Sequence, residues 1–365
     1  MTEVAGDTWG STTDAAGVVK WLREKRNVVV TTHTKPDGDA VGSSVALARA
    51  LNIAAGGSPG GFSGVASRAE VWFHGPPPPW LGAVAGDVKR RQIDNEYGIP
   101  ATADPDAVVI VDTGAWSQLR PLEEWLSDRT GSCLVIDHHL RGDADVGATR
   151  LVETKAAAAC QIVAPLCASL LGKTSITDLP VEVATPLYLG LATDTGWFRH
   201  ANVTPAAMRT AADLLETGVD HEALHAMIEQ RDKPSRLALL QRALASLEYH
   251  AEGAVAMMKL RQADFAETGA SPGDSGGFLD VVRTVEVIRV AALLTEATVG
   301  SNEGPLTKVS FRSKGGPGMV DVNQVASSLG GGGHAQAAGA RIDAPLDDAW
   351  ATIRERLVSA IDEQG

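Results

Sequence analysis

Cysteine, basic residues and long apolar runs are all scarce in this sequence, and each scarcity excludes a class of protein. The three cysteines, Cys133, Cys160 and Cys167, are an odd number without C-x-x-C spacing, which is typical of reduced, buried thiols and not of a disulfide framework. No stretch approaches the roughly 20 uncharged residues that span a bilayer. The first residues have neither the basic start nor the apolar core of a signal peptide. We therefore expect a cytoplasmic protein without a membrane partner.

The shortage of positive charge limits the partners. The chain has 32 Lys and Arg against 45 Asp and Glu, a formal net charge of −13. A protein that binds long duplex nucleic acid by neutralising phosphates usually has a basic excess. We therefore expect no long duplex partner, and a small phosphorylated ligand that is held by a local basic patch or through bound metal.

Length and the order of apolar runs predict a two-domain α/β protein. A chain of 365 residues has room for two cores. Strand-like and helix-like runs alternate up to Arg199, which predicts a doubly wound, mainly parallel sheet in a domain at 18–205. A helical linker is predicted at 206–247, and a smaller α/β domain with a mixed sheet at 248–365.

Several local features are expected within these domains. Residues 1–17 form a loosely held polar lead-in, and the Gly/Ser-rich Ala55–Ser67 and the proline-rich Pro76–Trp80 are surface loops. Helical spacing predicts the last helix at Leu346–Asp362.

The most informative stretch is HTKPDGDAVGSS, from His33 to Ser44. It lies between a buried strand, Asn27–Thr32, and a helix rich in Ala and Leu, Val41–Ile53, and so at the carboxyl end of a strand, where open α/β sheets bind ligands. One imidazole and two carboxylates within seven residues suit a divalent cation. Taken alone, the stretch is also compatible with a polar turn that caps a helix.

Three further segments repeat this pattern. VVIVDTG (Val108–Gly114), CLVIDHH (Cys133–His139) and LYLGLATDTGWFR (Leu187–Arg199) each carry an apolar run that ends in an acid, or in an acid and two histidines. One such acid is commonly a helix cap. Here four apolar elements each have Asp or His at one end, and together these residues form a set of possible metal ligands. Packing alone does not require such a set.

A glycine segment, GGGGHAQAAG (Gly330–Gly339), carries a second signal. We expect a helix to begin at His334, so that the glycine loop before it binds phosphate or carboxylate through backbone amides. Arg312 and Lys314, at a predicted strand end, are candidate phosphate-binding partners of this loop.

Together these segments resemble a known family. HTKPDGDAVGSS, VDTG, IDHH and LATDTGWFR look like the four successive motifs of the DHH phosphoesterases, and GGGGHAQAAG resembles the signature of the DHH-associated C-terminal domain. The likeness runs from about Val18 to the C-terminus. It is strongest to the NrnA-like branch of oligoribonucleases and phosphatases of 3′-phosphoadenosine 5′-phosphate (pAp). The chain departs from the pattern in its two inserts and in the bulky Trp197.

The resemblance implies a site for two divalent cations, for which Mn²⁺ is the best suited and Mg²⁺ or Co²⁺ are compatible. Its ligands are His33 and Asp37 for one cation, Asp39, His138 and Asp194 for the other, and Asp112 for both. Asp112, His138 and His139 are the implied catalytic residues, and Asp137 orients a histidine. The implied substrate-binding residues are His139, Arg199, Arg312, Lys314, Gly331, Gly332, Gly333 and His334.

The implied activity is hydrolysis of phosphoesters by a hydroxide that the two cations generate, so no nucleophilic Ser or Cys is needed. The implied substrates are 5′-phosphorylated di- to penta-ribonucleotides, including pApA, which yield mononucleotides, and pAp, which yields AMP. A homodimer is compatible with the family. A manganese-dependent inorganic pyrophosphatase, a single-strand exonuclease and a non-catalytic nucleotide-binding regulator are the alternatives.

Overall fold

A computed structural model of the chain describes residues 8–56, 68–94, 98–297 and 304–363. The chain divides into two units, 1–230 and 231–365. The predicted linker, 206–247, contributes its first two helices to the first unit and its third helix to the second. Within the described ranges, no helix combines the length and the apolar character needed to cross a bilayer. Most of the Ala55–Ser67 insert, 57–67, lies outside the described residues.

The first unit alternates strands and helices along the chain. Its strands are β1 (Val28–Thr31), β2 (Ala69–His74), β3 (Arg90–Ile93), β4 (Ala107–Val111), β5 (Cys133–Asp137) and β6 (Thr149–Val152). Its helices are α1 (Ala15–Arg23), α2 (Gly38–Ala54), α3 (Leu81–Ala85), α4 (Trp116–Leu119), α5 (Glu123–Ser127), α6 (Ala159–Leu170), α7 (Val181–Asp194), α8 (Pro205–Glu216) and α9 (His221–Glu229). Short 3₁₀ turns lie at Arg120–Leu122, Thr130–Ser132 and Ile176–Asp178.

The six strands described in this unit form one parallel sheet in the order β3-β2-β1-β4-β5-β6. Apolar clusters cover both of its faces. One joins Val28 and Val30 to helices α1, α2, α6 and α7, and the other joins Val29 and Val108 to the segment from α4 to α5. The predicted doubly wound, mainly parallel sheet is therefore confirmed.

The strand order places a crevice where β1 meets β4. The chain winds outward from β1 in one direction and from β4 in the other, so the loops that follow these two strands diverge above the sheet. In open α/β sheets, ligands bind in this crevice at the carboxyl ends of the strands. His33 follows β1 and Asp112 follows β4, so both lie at its mouth.

Helix α2 is buried along nearly its whole length, from Gly38 to Asn52, between the sheet and helices α6 and α7. Glycine makes its contact with α7 possible. A Cβ on Gly42 would lie 2.3 Å from the carbonyl oxygen of Pro186, and a Cβ on Gly190 would lie 2.3 Å from the sulfur of Cys160. The helix that starts at the HTKPDGDAVGSS motif is therefore fixed by close backbone packing.

Arg49, which is only 7% exposed, links three helices around a proline. Pro186 stands inside α7 and has no N–H, so the carbonyl of Glu182 one turn earlier lacks its helical donor. The Arg49 guanidinium donates to that carbonyl and, at 3.0 Å, to the carbonyl of Ala85 at the end of α3. Burial lowers the pKa of Arg49, and Asp87 at 3.7 Å opposes that shift.

The second unit contains a smaller α/β fold. Its strands are β7 (Glu248–His250), β8 (Val255–Leu260), β9 (Val290–Ala297), β10 (Leu306–Ser313), β11 (Gly332–His334) and β12 (Ala337–Ile342). Its helices are α10 (Pro234–Ala245), α11 (Gln262–Thr268), α12 (Phe278–Val282), α13 (Val322–Ser327) and α14 (Leu346–Asp362), with 3₁₀ turns at Ala251–Gly253 and Pro272–Ser275.

The sheet of the second unit is mixed, as predicted. Its order is β11-β12-β10-β9-β8-β7, with β8 and β9 parallel and the other neighbouring strands antiparallel. Helices α13 and α14 pack on one face of this sheet. The segment from α10 to α12 covers the other face over β8 and β9.

The glycine segment differs from its prediction. No helix begins at His334, because residues 332–342 form an antiparallel hairpin in which Gly333 pairs with Ala338. The strands approach so closely that a Cβ on Gly333 would lie 2.4 Å from the carbonyl oxygen of Ala337, and one on Gly331 would lie 2.2 Å from that of Gly339. Strand packing therefore requires glycine at these two positions, and the expected helix N-terminus is absent from this described segment.

The N-terminal segment also differs from its prediction. Residues 8–14 are held along the free edge of β6. The Ser11 hydroxyl accepts a hydrogen bond from the Val152 amide at 2.8 Å, and Thr12 exchanges two hydrogen bonds of 2.8 Å with the backbone of Arg150. Alternating side-chain and backbone groups satisfy this edge without forming a regular strand, and no apolar pattern in residues 8–14 reveals it.

We expect Gly42→Ala to destabilise the first unit. Alanine gains about 1 kcal/mol of helix propensity, but its methyl group would meet a backbone carbonyl that cannot move freely, and overpacking costs about 1–3 kcal/mol. Urea unfolding followed by tryptophan fluorescence measures this, because seven of the eight tryptophans lie in the first unit. Gly131→Ala is the control, since no heavy atom lies within 4 Å of its Cβ position. Equal urea midpoints of unfolding for Gly42→Ala and Gly131→Ala would contradict the close packing of α2 against α7.

Candidate metal centre

Four chain segments bring their acids and histidines to the crevice at the carboxyl edge of the parallel sheet. The stretch from His33 to Asp39 runs from the loop after β1 into the first turn of α2, Asp112 follows β4, and Asp137 ends β5 with His138 and His139 directly after it. Asp194 is the last residue of α7. The four motifs that the sequence singled out therefore meet in one place.

Asp112 has an unusual backbone conformation. Its φ is +61°, in the left-handed region that non-glycine residues seldom adopt. Its amide still donates to the carbonyl oxygen of Ile136 on β5 at 2.9 Å. The turn directs the carboxylate, which is only 4% exposed, into the crevice. Strained residues of this kind concentrate at functional sites.

Two histidines face opposite oxygens of the Asp112 carboxylate. The Nε2 atom of His33 lies 3.5 Å from Oδ2, and the Nε2 atom of His138 lies 3.3 Å from Oδ1. Each ring contacts a backbone carbonyl oxygen with its other nitrogen, His33 that of Thr34 at 3.0 Å and His138 that of Ala156 at 3.3 Å. A carbonyl only accepts, so Nδ1 carries the hydrogen and a neutral ring presents its Nε2 lone pair to Asp112.

These lone pairs identify the positions that a cation fits. Asp112 Oδ1 is buried and has no hydrogen-bond partner among the described residues. An imidazole lone pair and a carboxylate oxygen that face each other at 3.3 Å repel unless a proton or a cation lies between them. His33, Asp37 and Asp112 form one group with metal-ligand spacing, and Asp39, His138 and Asp194 form another. The donor set of imidazole nitrogens and carboxylate oxygens suits a divalent cation.

The carboxylates also shift the titration of the two histidines. Burial disfavours the charged ring of His33, but the hydrogen bonds that this ring donates to the carboxylates of Asp112 and Asp37 outweigh burial and raise its pKa to about 11. Burial also disfavours the charged form of His138, whereas Asp112 favours it. The net effect is a raised pKa of His138. The cluster thus attracts positive charge strongly, in the form of protons or of a metal ion.

Asp39 lies on the inner side of the cluster and is 1% exposed. Its two oxygens accept the amides of Ala159 and Cys160 at the start of α6, at 2.5 and 2.8 Å. Its Oδ2 atom lies 3.8 Å from Nε2 of His138. Burial and the charge of Asp112 raise the pKa of Asp39 well above its usual value. One carboxylate thus caps a helix and faces the second group of ligands.

Asp137 fixes the second histidine of the IDHH motif. Its Oδ1 atom accepts the Nδ1 hydrogen of His139 at 2.7 Å and the amide of His138 at 2.7 Å. The hydrogen bond to Asp137 raises the pKa of His139, although burial opposes the shift. The His139 side chain is 54% exposed. A ring with this orientation can donate a hydrogen bond from Nε2 to an anion.

The structure also contains contacts that sequence reasoning missed. Asn202 donates to the backbone oxygens of Asp194 and Ala157 at 3.2 and 3.0 Å, so it ties the end of α7 to the loop whose Ala156 carbonyl holds His138. A cavity of about 330 Å³ beside the cluster is lined in part by Thr113, Ser117, Gln118 and Arg141. Thr113 lies in the VDTG motif, but Ser117, Gln118, Arg141 and Asn202 belong to none of the motifs that the sequence singles out.

The other predicted substrate residues occupy varied positions. Arg199, after α7, is exposed and its Nε donates to the carbonyl of Gly196 at 2.7 Å. In the second unit, Lys314 donates to the carbonyls of Val285 and Glu286 at 2.5 and 3.1 Å, so its ammonium group is engaged within the fold. Gly332 has no heavy atom closer than 3.8 Å to its Cβ position, unlike Gly331 and Gly333.

Arg312 and His334 share one face of the second sheet. Arg312 on β10 pairs with Ala337 on β12, and His334 on β11 pairs with the same alanine from the other side. Residues directly opposite in antiparallel strands project to the same face. The small Ala337 therefore separates two groups that can contact one anion.

Comparison with known proteins agrees with these observations. The N-terminal domain of the DHH family matches residues 27–191, and the DHHA1 domain matches residues 251–363. The chain is 32% identical to the bifunctional oligoribonuclease and PAP phosphatase NrnA of Thermus thermophilus over 92% of this chain and 90% of that protein. It is 27% identical to the probable NrnA of Streptococcus mutans over 86% of this chain and 88% of that protein.

A solved structure shares the whole fold. The exopolyphosphatase-related protein of Bacteroides fragilis superposes with a TM-score of 0.76, at 20% identity, over 99% of this chain and 100% of that one. Sequence motifs, fold and clustered ligands therefore agree: the chain belongs to the DHH family and is a hydrolase of phosphoester bonds.

Proposed function

We propose that the protein hydrolyses short oligoribonucleotides to mononucleotides and dephosphorylates pAp, at a centre for two divalent cations. The observation that carries the proposal is the Asp112 carboxylate, whose two oxygens face the Nε2 atoms of His33 and His138. One carboxylate shared by two groups of ligands suits two neighbouring cations better than one. Relatives that carry the name oligoribonuclease and PAP phosphatase support the substrate class.

The proposed ligands are those expected from the sequence. His33 and Asp37 hold one cation, Asp39, His138 and Asp194 hold the other, and Asp112 contacts both. Bound Mn²⁺ or Mg²⁺ supplies a water of lowered pKa and draws charge from the phosphoryl oxygens. Mn²⁺ is preferred because the donor set mixes imidazole with carboxylate.

The protein's own groups bind and orient the substrate in this proposal. His139, with its Nδ1 hydrogen fixed on Asp137, presents Nε2 to a phosphate oxygen. The row of Arg312, Ala337 and His334 offers a second anion site on the β10–β12 face of the second unit. A homodimer and a cytoplasmic location stay predictions.

We expect Asp112→Asn to weaken the binding of both cations, because the amide lacks the charge and one of the oxygens that they share. The loss should exceed the roughly 100-fold that removal of an outer contact can cost. Isothermal titration with Mn²⁺ measures affinity and stoichiometry. Asp128→Asn is the control, since Asp128 is exposed at the end of α5.

Two further variants distinguish the two proposed cation sites. Asp194→Asn should remove one of two binding events and leave the other, and Asp37→Asn should do the reverse. Stoichiometry of one in the wild type, or full Mn²⁺ affinity in Asp112→Asn, would contradict the shared centre.

Turnover in the presence of Mn²⁺ tests the substrate class. We expect release of mononucleotides from pApA and from a 5′-labelled RNA pentamer, release of phosphate from pAp, and loss of each activity with a chelator or in Asp112→Asn. A long single-stranded RNA and pyrophosphate are offered in parallel. Sole turnover of pyrophosphate would make the protein a pyrophosphatase, rapid degradation of the long RNA would make it an exonuclease, and metal binding without turnover would favour the regulator.

A further inference from the structure

We propose that Arg141 binds a phosphate oxygen of the substrate in the cavity beside the metal centre, and that Trp9 is the residue that positions it. The inference rests on phosphoester hydrolysis at the proposed centre, but not on which nucleotide is the substrate. Neither residue belongs to the motifs that identify the family.

Arg141 lines the same cavity as the candidate ligands. The lining of this 330 Å³ cavity includes His33, Asp112, His139 and Asp194 together with Arg141 and Gly114. Arg141 is its only arginine or lysine among the described residues. A cavity rich in carboxylates repels an anionic substrate, so a guanidinium there supplies the charge and the paired donors that a phosphate requires.

The nearby acids do not neutralise Arg141. Within the described part of the chain, Arg141 has no ion pair and its guanidinium has no hydrogen bond. The two acids that follow it contact Trp116 instead. Asp143 accepts the Trp116 amide at 2.8 Å, and Asp145 accepts its indole N–H at 3.0 Å. The positive charge of Arg141 is therefore available to a ligand.

Trp9 fixes the loop that carries Arg141. Its indole N–H donates to the carbonyl oxygen of His139 at 3.0 Å. Its ring fills the space above two glycines, because a Cβ would lie 1.8 Å from the ring at Gly114 and 2.7 Å from it at Gly142. Gly114 belongs to the VDTG motif, and its carbonyl accepts the Asp143 amide at 2.7 Å.

The contacts of Trp9 thus surround Arg141 on both sides along the chain, at His139 and Gly142. The segment that carries the indole is held by the Arg150 guanidinium, which donates to the Gly10 carbonyl, and by the backbone amides of Arg150 and Val152, which donate to the hydroxyls of Thr12 and Ser11. The loop after IDHH is therefore held by two anchored neighbours, and the backbone of Arg141 has little freedom to leave the cavity.

The first test measures the affinity of the Mn²⁺-loaded protein for inorganic phosphate by isothermal titration. We expect Arg141→Ala to weaken phosphate binding by roughly tenfold or more while Mn²⁺ binding is kept, because a charge-assisted hydrogen bond is lost. Arg141→Lys should recover part of the affinity. With bis(p-nitrophenyl) phosphate, KM should rise with little change in kcat.

Two control variants test whether the loss of phosphate affinity is due to the Arg141 guanidinium itself. Leu140→Ala alters the same loop at a side chain that is 80% exposed, and Arg209→Ala removes an exposed charge on α8. Neither should change phosphate affinity. Wild-type phosphate affinity in Arg141→Ala, with Mn²⁺ bound, would overturn the proposal. If the protein does not turn over nucleotides but its phosphate affinity still depends on Arg141, only the proposed substrate is refuted.

A double-mutant cycle tests the positioning role of Trp9. Trp9→Ala should weaken phosphate binding as Arg141→Ala does, and the double variant should lose no more than either one, since both changes remove the same contact. Trp9→Phe keeps a ring over the glycines and should lose less. Melting temperatures check that the variants fold. Additive losses, or unchanged phosphate affinity in a folded Trp9→Ala protein, would overturn the role of Trp9.

Discussion

The repulsion among carboxylates and imidazole lone pairs around Asp112 is the constraint on which this site depends. A buried carboxylate faces two rings whose other nitrogens are occupied by backbone carbonyls, so the cluster is complete only with added positive charge. The fold holds these groups together despite that repulsion. It can do so because each ligand is attached to an element that is buried for other reasons.

The parallel sheet and helix α2 provide that attachment. β1, β4 and β5 are fully buried and end at the same edge, so the residues after them cannot separate without disrupting the core. Gly42 and Gly190 bring α2 against α7, and this contact brings Asp39 at the start of one helix near Asp194 at the end of the other. Small residues far from the chemistry thus determine the distance between ligands.

Much of this arrangement could be predicted, because buried parallel strands leave continuous apolar runs and the acids follow them directly. The predicted bounds of the last helix, Leu346–Asp362, agree with those in the structure. Other features could not be predicted for physical reasons. The glycine hairpin and a glycine loop before a helix look alike in sequence, since both need residues without a Cβ. Trp9 and Asn202 act through contacts between segments distant along the chain, which no local pattern reveals.

The segment along β6 has a consequence for association. A free sheet edge exposes unpaired amides and carbonyls that can recruit a strand from another molecule. Ser11 and Thr12 occupy those groups on β6 with hydroxyl and backbone contacts, but their irregular path offers no new ladder of its own. The same few residues that hold the indole of Trp9 therefore also protect this edge against intermolecular strand addition and aggregation.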